Sequence, residues 1–108
     1  MAIRSVFRLG GEIISVIIDN DNVMFLDGNG VVTTIEGLKL SKGGVLKEFP
    51  ELENNEEWRK IAIERFKEKI KSLNGEMEKT TYIKDELTKH GYEAKFYQRA
   101  GFRPTKFN

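Results

Sequence analysis

Three aspartates, Asp19, Asp21 and Asp27, form the densest group of side chains in this sequence able to hold a hard cation. Carboxylate oxygens suit magnesium, manganese or calcium, and the run Asp19-Asn20-Asp21-Asn22 begins as a calcium-binding loop does. The pattern then breaks. Such a loop needs an oxygen-bearing side chain at its fifth position and glycine at its sixth, where this chain has Val23 and Met24. Solvated carboxylates in turns are the favoured reading. The alternative is a small divalent-metal-assisted hydrolase built on Asp19, Asp21 and Asp27, which requires their two turns to meet at one end of a sheet.

Other chemistry-bearing residues are sparse. His90 is the only histidine, so paired-histidine metal sites are excluded, and no cysteine is present to act as nucleophile, thiolate ligand or disulfide partner. It directly precedes Gly91 at the end of a helical pattern, where a partly protonated imidazole interacts favourably with the last carbonyls. No motif joins it to a serine or carboxylate, and Ser5, Ser15, Ser41 and Ser72 lack the context of a nucleophile elbow. Gly28-Asn29-Gly30 runs into the strand-forming Val31-Val32-Thr33-Thr34, whereas a phosphate loop must open a helix. No catalytic centre and no cofactor motif emerge, and the expectation is a binding or adaptor module rather than an enzyme.

The net charge of +1 says little, but its distribution is uneven. Residues 79 to 108 hold seven Lys or Arg against three acids, so the rest of the chain is acidic. In that segment Lys95, Arg99, Arg103 and Lys106 interleave with Tyr92, Phe96, Tyr97, Phe102 and Phe107, a mixture that neutralises phosphates and stacks on bases. The same aromatics at strand spacing also serve as core, with the cations as solvated cover. Tyr, Phe and Arg are enriched at protein interfaces too. Lys95, Tyr97, Arg99, Phe102, Arg103 and Lys106 are therefore the candidate partner-binding set, for either a protein or a nucleic acid.

These residues need elements to position them. Residues 1–49 read as an antiparallel β-meander of four to five strands, because β-branched and aromatic runs alternate with Gly, Asn and Asp. Ile3 to Leu9 and Glu12 to Ile18 form a hairpin across Gly10-Gly11, and Val23 to Leu26 and Val31 to Ile35 form another across Asp27 to Gly30. Val45 to Phe49 is a last short strand or a crossing loop. Residues 50–91 read as two helices, Trp58 to Leu73 behind an Asn54/Glu57 capping box, and a covering helix from Glu78 to His90, joined at Asn74-Gly75. Residues 92–108 are a C-terminal strand rejoining the sheet and an extended arm containing Pro104. The fold class is α+β.

Size and composition agree with this layout. The 108 residues suit a single domain with one core, and 39% hydrophobic with 32% charged residues is too apolar for disorder and too polar for a membrane span. Ile13 to Ile18, broken by Ser15, is too short for a signal-peptide core or a transmembrane helix. A cytoplasmic compartment is expected. Abundant Glu, Lys and Ile are features of thermophile proteins and of AT-rich genomes alike. The second strand is apolar on both alternating faces while helices cover one, so a curled sheet or a second copy is expected over the other. A homodimer is one outcome of that need.

Overall fold

The computed structural model describes residues 2–99, 105 and 106, with backbone alone for 96–99, 105 and 106. Four strands lead the chain: β1 (Ile3–Leu9), β2 (Glu12–Asp19), β3 (Asn22–Leu26) and the two-residue β4 (Val32–Thr33). Three helices follow, α1 (Lys42–Glu48), α2 (Trp58–Ser72) and α3 (Glu76–Lys89), and then β5 (Glu93–Arg99) and β6 (Thr105–Lys106). The strands form one antiparallel sheet in the order β4-β3-β2-β1-β5-β6. The C-terminal strand thus returns beside β1, as the sequence pattern predicts.

Each turn follows from its residues. Gly10, at φ +59°, closes the β1–β2 hairpin in a left-handed conformation that costs glycine nothing. Asn20 takes φ +54° in the next turn, tolerable for asparagine, and its N–H donates to Glu76 Oε2 at 2.7 Å. Asp27 builds the third turn by accepting from the N–H groups of Asn29 and Val31 at 2.9 and 3.0 Å.

The inner face of the sheet and the helices enclose the main core, in which Phe7, Val16, Ile18, Leu38, Ile83 and Leu87 are almost wholly buried. The α3 helix is therefore a core element. Its narrow apolar stripe is that of a covering helix, but Ile83 and Leu87 sit where the sheet and α2 converge. A second, smaller cluster of Val45, Leu52 and Ala62 lies under α1, with Phe49, Trp58 and Ile61 packed against it. Ala62 faces that cluster while Ile63, Phe66 and Ile70 face the main core, so the broad apolar arc of α2 serves two partners.

Three local expectations are corrected. Val45 to Phe49 is neither strand nor loop, because α1 runs from Lys42 to Glu48 with Ser41 Oγ capping the Gly44 N–H at 3.0 Å. Gly43-Gly44 disguised that helix as a turn. The Asn54/Glu57 capping box does not form; Asn55 Oδ1 instead accepts from the Glu57 N–H at 2.9 Å, and no side-chain hydrogen bond is made by the N-cap residue of α2. Finally, β2 is central but only partly covered on its outer face: Ile14, Val16 and Ile18 are buried on the inner phase, whereas on the outer phase Ser15 is buried, Ile17 half-buried and Ile13 45% exposed. Among the described residues no strand pairing curls the sheet closed.

Candidate functional site

The three aspartates do not converge. Asp19 and Asp21 belong to the β2–β3 turn, while Asp27 follows the far end of β3, roughly 20 Å away at 3.4 Å per strand residue. The Asp27 carboxylate is also committed to the turn N–H groups described above. Among the described residues no three His, Asp or Glu side chains gather to hold a metal ion. The arrangement on which the hydrolase alternative depends is therefore absent from these residues.

The candidate partner-binding set is only partly placed. Lys95 is half-buried on β5, with its Nζ 3.1 Å from Glu93 Oε1, and Glu93 also pairs with Arg8 of β1 at 3.3 Å. The backbone register sets Tyr97 opposite Ser5 and opposite Thr105, and Arg99 opposite Ile3, with Lys106 opposite Phe96. Phe102 and Arg103 lie outside the described residues. Tyr92, counted with the aromatic mixture, is a core residue: it is 3% exposed and its hydroxyl accepts the Lys39 N–H at 3.1 Å.

His90 ends α3 in an unexpected role. Its ring is buried, and Nδ1 accepts the Ser41 N–H at 2.9 Å, with Ser41 Oγ 3.3 Å away. Burial, reinforced by the charge of Lys89, lowers its pKa below the ordinary 6.5. The ring is therefore neutral at physiological pH, not the partly charged cap expected from its place beside Gly91. Nor is this a nucleophile and base pair: Nδ1 is occupied by a backbone donor, and Ser41 Oγ is engaged by the Gly44 N–H.

Around His90 lies a set of coupled charges. Lys89 Nζ bridges Glu48 Oε2 at 2.8 Å and Glu86 Oε1 at 3.0 Å, tying α1 to α3. Burial raises the pKa of Glu86, and the neighbouring Glu48 charge adds to it against the pull of Lys89. Burial pushes Glu48 the same way, but hydrogen bonds from Lys89 and Glu86 outweigh it and leave its pKa lowered. Tyr82 is raised by burial and then by both carboxylates, so its hydroxyl stays protonated. Shifted pKa values are common at active sites. Here they surround a cavity of only about 10 Å³, room for roughly one water, so this is a joint between helices and not a substrate pocket.

The outer face of the sheet is the more unusual surface. Cross-strand register places Arg4, Val6 and Arg8 of β1 beside Ile17, Ser15 and Ile13 of β2, and then Met24 and Leu26 of β3 beside Ile17 and Ser15. An antiparallel sheet with one wet face normally turns polar residues outward. This one turns out Val6, Ile13, Ile17, Met24 and Leu26, with Met24 44% exposed and Val32 of β4 64% exposed. Arg4, Arg8 and Lys95 form a cationic margin along β1 and β5, with Glu93 the acid that pairs with two of them.

The apolar face continues around the sheet edge. Because β4 pairs with Phe25 and Leu26, the first half of β3 has no strand beside it on that side among the described residues. A groove of about 830 Å³ opens there between β3, Thr34–Glu36 and the Lys67, Ile70 and Lys71 side of α2, reaching Ile17 and Met24. Compared with known protein families, curated proteins and solved structures, the chain matches none.

Sequence reasoning identified β2 as apolar on both faces but looked for the working surface in the C-terminal segment. Ile13, Ile17, Met24 and Leu26 were missed as site residues because each, alone, is ordinary strand composition. The available signal was the alternation itself, since three neighbouring strands place apolar residues on the outward phase.

Proposed function

We propose that this chain is a non-enzymatic binding module that takes a protein partner on the outer face of its sheet, the partner presenting an apolar centre and an acidic margin. The observation that carries the reading is the aliphatic surface of Val6, Ile13, Ile17, Met24 and Leu26, which no helix among the described residues covers. Exposed apolar patches of this kind on a folded domain mark interaction sites more often than inert surface. Charge complementarity defines the partner further, because Arg8 and Lys95 border the patch on one side and the Arg4 guanidinium reaches into it, 3.5 Å from Ser15 Oγ. The Arg8–Glu93 pair has side chains 48% and 62% exposed, so exchanging Glu93 for a partner carboxylate costs little.

An aliphatic surface suits a protein better than a nucleic acid, whose bases stack on aromatic rings. The basic surplus of residues 79 to 108 acts in this reading as the steering field for an acidic partner.

The test is selection from a random peptide library displayed on phage, followed by fluorescence anisotropy with an enriched peptide. Enrichment of sequences combining aliphatic residues with Asp or Glu is expected. Ile13→Glu or Met24→Glu should weaken that peptide by at least roughly tenfold. Both side chains are nearly half exposed, so folding stability should change by no more than about 0.5 kcal/mol. Binding of labelled oligothymidylate or oligouridylate that weakens steeply with salt and ignores both substitutions would replace the protein partner with a nucleic acid. A concentration-dependent mass that Ile13→Glu abolishes would make the partner a second copy.

A further inference from the structure

The joint between α1 and α3 has the parts of a switch. The α1 helix covers the second apolar cluster, which meets the main core at Leu40 but shares none of its fully buried residues, and its polar attachments to α3 are few. The Ser41 N–H donates to His90 Nδ1 at 2.9 Å, and Lys89 bridges Glu48 of α1 to Glu86 of α3. The His90 ring also lies so close to Gly44 that a Cβ there would stand 2.8 Å from Nδ1 and 3.0 Å from Cε1. Only a neutral imidazole can accept from Ser41. Protonation puts an N–H where the Ser41 N–H already points, leaving two donors face to face in a tight contact.

We propose that α1 is a pH-released flap, latched by neutral His90 and let go when that ring takes a proton, which bares the apolar cluster of Val45, Leu52 and Ala62. The whole fold need not open, because the sheet and the α3 residues Ile83 and Leu87 belong to the other cluster. Local opening of a small, separately packed unit is the usual form of sub-global unfolding.

The charges around His90 set the direction. From α1 the ring faces Glu48; from α3 it has Lys89, Glu86 and, across the small cavity, Tyr82; α2 contributes only Ala62 and Phe66. His90 is lowered in the docked state, so the stability it confers is complete above its ordinary value of 6.5 and is lost as pH falls below it. Glu86 is raised, so its protonation on acidification favours the docked form and opposes release. Glu48 is lowered, and its contribution is lost only on descending below the ordinary 4.5. Between those two values His90 is the group that pushes α1 off.

Amide hydrogen exchange on the intact chain, corrected for intrinsic rates, tests this between about pH 7 and about pH 5, the range in which histidine changes charge. Protection of Gly44, Val45 and Leu46 should drop by roughly tenfold, equivalent to about 1.4 kcal/mol of docking free energy, while β1 and β2 amides keep theirs. Fluorescence of Trp58, the only tryptophan and packed against the second cluster, should shift to the red over the same range. His90→Asn offers a carbonyl acceptor that does not titrate, and should abolish the drop while leaving α1 docked. Loss of sheet and α1 protection together, pH-independent protection of α1 in the unsubstituted protein, or a drop that persists in His90→Asn would each overturn the proposal.

Discussion

Replacing Lys79 with methionine is expected to destabilise the fold by about 3 kcal/mol, the cost of two lost charge-assisted hydrogen bonds, which leaves the part-buried Leu73 carbonyl without its donor and the Ile70 carbonyl with only the Leu73 N–H at 3.3 Å. Lys79 is 2% exposed, an unusual place for a lysine, and its Nζ donates to the Ile70 and Leu73 carbonyls at 2.6 Å each. Those are carbonyls at the C-terminal end of α2. A helix usually satisfies them with a left-handed glycine immediately after its last turn. Here Leu73 is extended at ψ 144° and Gly75, at φ +84°, instead opens α3, so the last turn of α2 must find donors elsewhere. A cation at that end also complements the helix dipole.

Methionine keeps the length and apolar stem of lysine, so the packing loss is small and the measured change reports mainly the two lost hydrogen bonds. For a domain of this size about 3 kcal/mol lowers Tm by roughly 15 °C. Lys71→Met, on the exposed side of α2, is the control and should change stability by no more than about 0.5 kcal/mol. Urea denaturation followed by circular dichroism measures both. Equal, small effects in the two variants would mean that water satisfies the carbonyls once Lys79 is gone.

The second large effect is a contrast between adjacent glycines. Alanine is the better helix former by up to about 1 kcal/mol, so propensity alone predicts that Gly43→Ala and Gly44→Ala both stabilise α1. The surroundings separate them. A Cβ on Gly43 meets nothing within 4 Å, whereas one on Gly44 would stand 2.8 Å from His90 Nδ1 and 2.8 Å from Ser41 Oγ. Neither neighbour can yield cheaply, because the ring and the hydroxyl are both held by hydrogen bonds.

Gly43→Ala should therefore stabilise by about 0.5 kcal/mol, a reduced gain because the position lies in the first turn. Gly44→Ala should destabilise by about 2 kcal/mol, combining overpacking with a displaced hydrogen bond. Opposite signs in thermal unfolding are the expected outcome. If both variants stabilised, His90 would not be seated against α1. Gly44→Ala should also loosen the flap above pH 7, because it displaces the His90 latch without adding a proton to it.

These contacts share a physical theme. Lys79 and His90 are polar residues in largely apolar surroundings, each satisfied by backbone groups of a different element. Lys79 fixes where α2 ends relative to α3, and His90 fixes where α1 begins. Together they set how the three helices meet, with α2 and α3 against the inner face of the sheet and α1 against α2.

Much of the architecture was legible in the residues. Strand periodicity with Gly10-Gly11 and Asp27 to Gly30 placed the hairpins, the apolar arc from Trp58 to Leu73 placed α2, and alternation after Gly91 placed β5. Such signals are local, depending on side-chain spacing and on backbone freedom at turns, so they survive without knowledge of neighbours. The helix α1 did not survive that treatment, because two glycines in seven residues argue for a turn until His90 supplies the reason for one of them.

The candidate surface divides the same way. Sequence alone determined that β2 is apolar on both phases and that the C-terminal segment is basic. Only the tertiary structure decided which of those apolar residues remain uncovered, since α2 and α3 pack on one side and the outward phases of β1, β2 and β3 add up only once register is set. It likewise decided that Asp27 stands a strand's length from Asp19 and Asp21, and that Tyr92 is spent on the core. Coverage and convergence are sums over elements distant in the chain, and no window of neighbouring residues contains them.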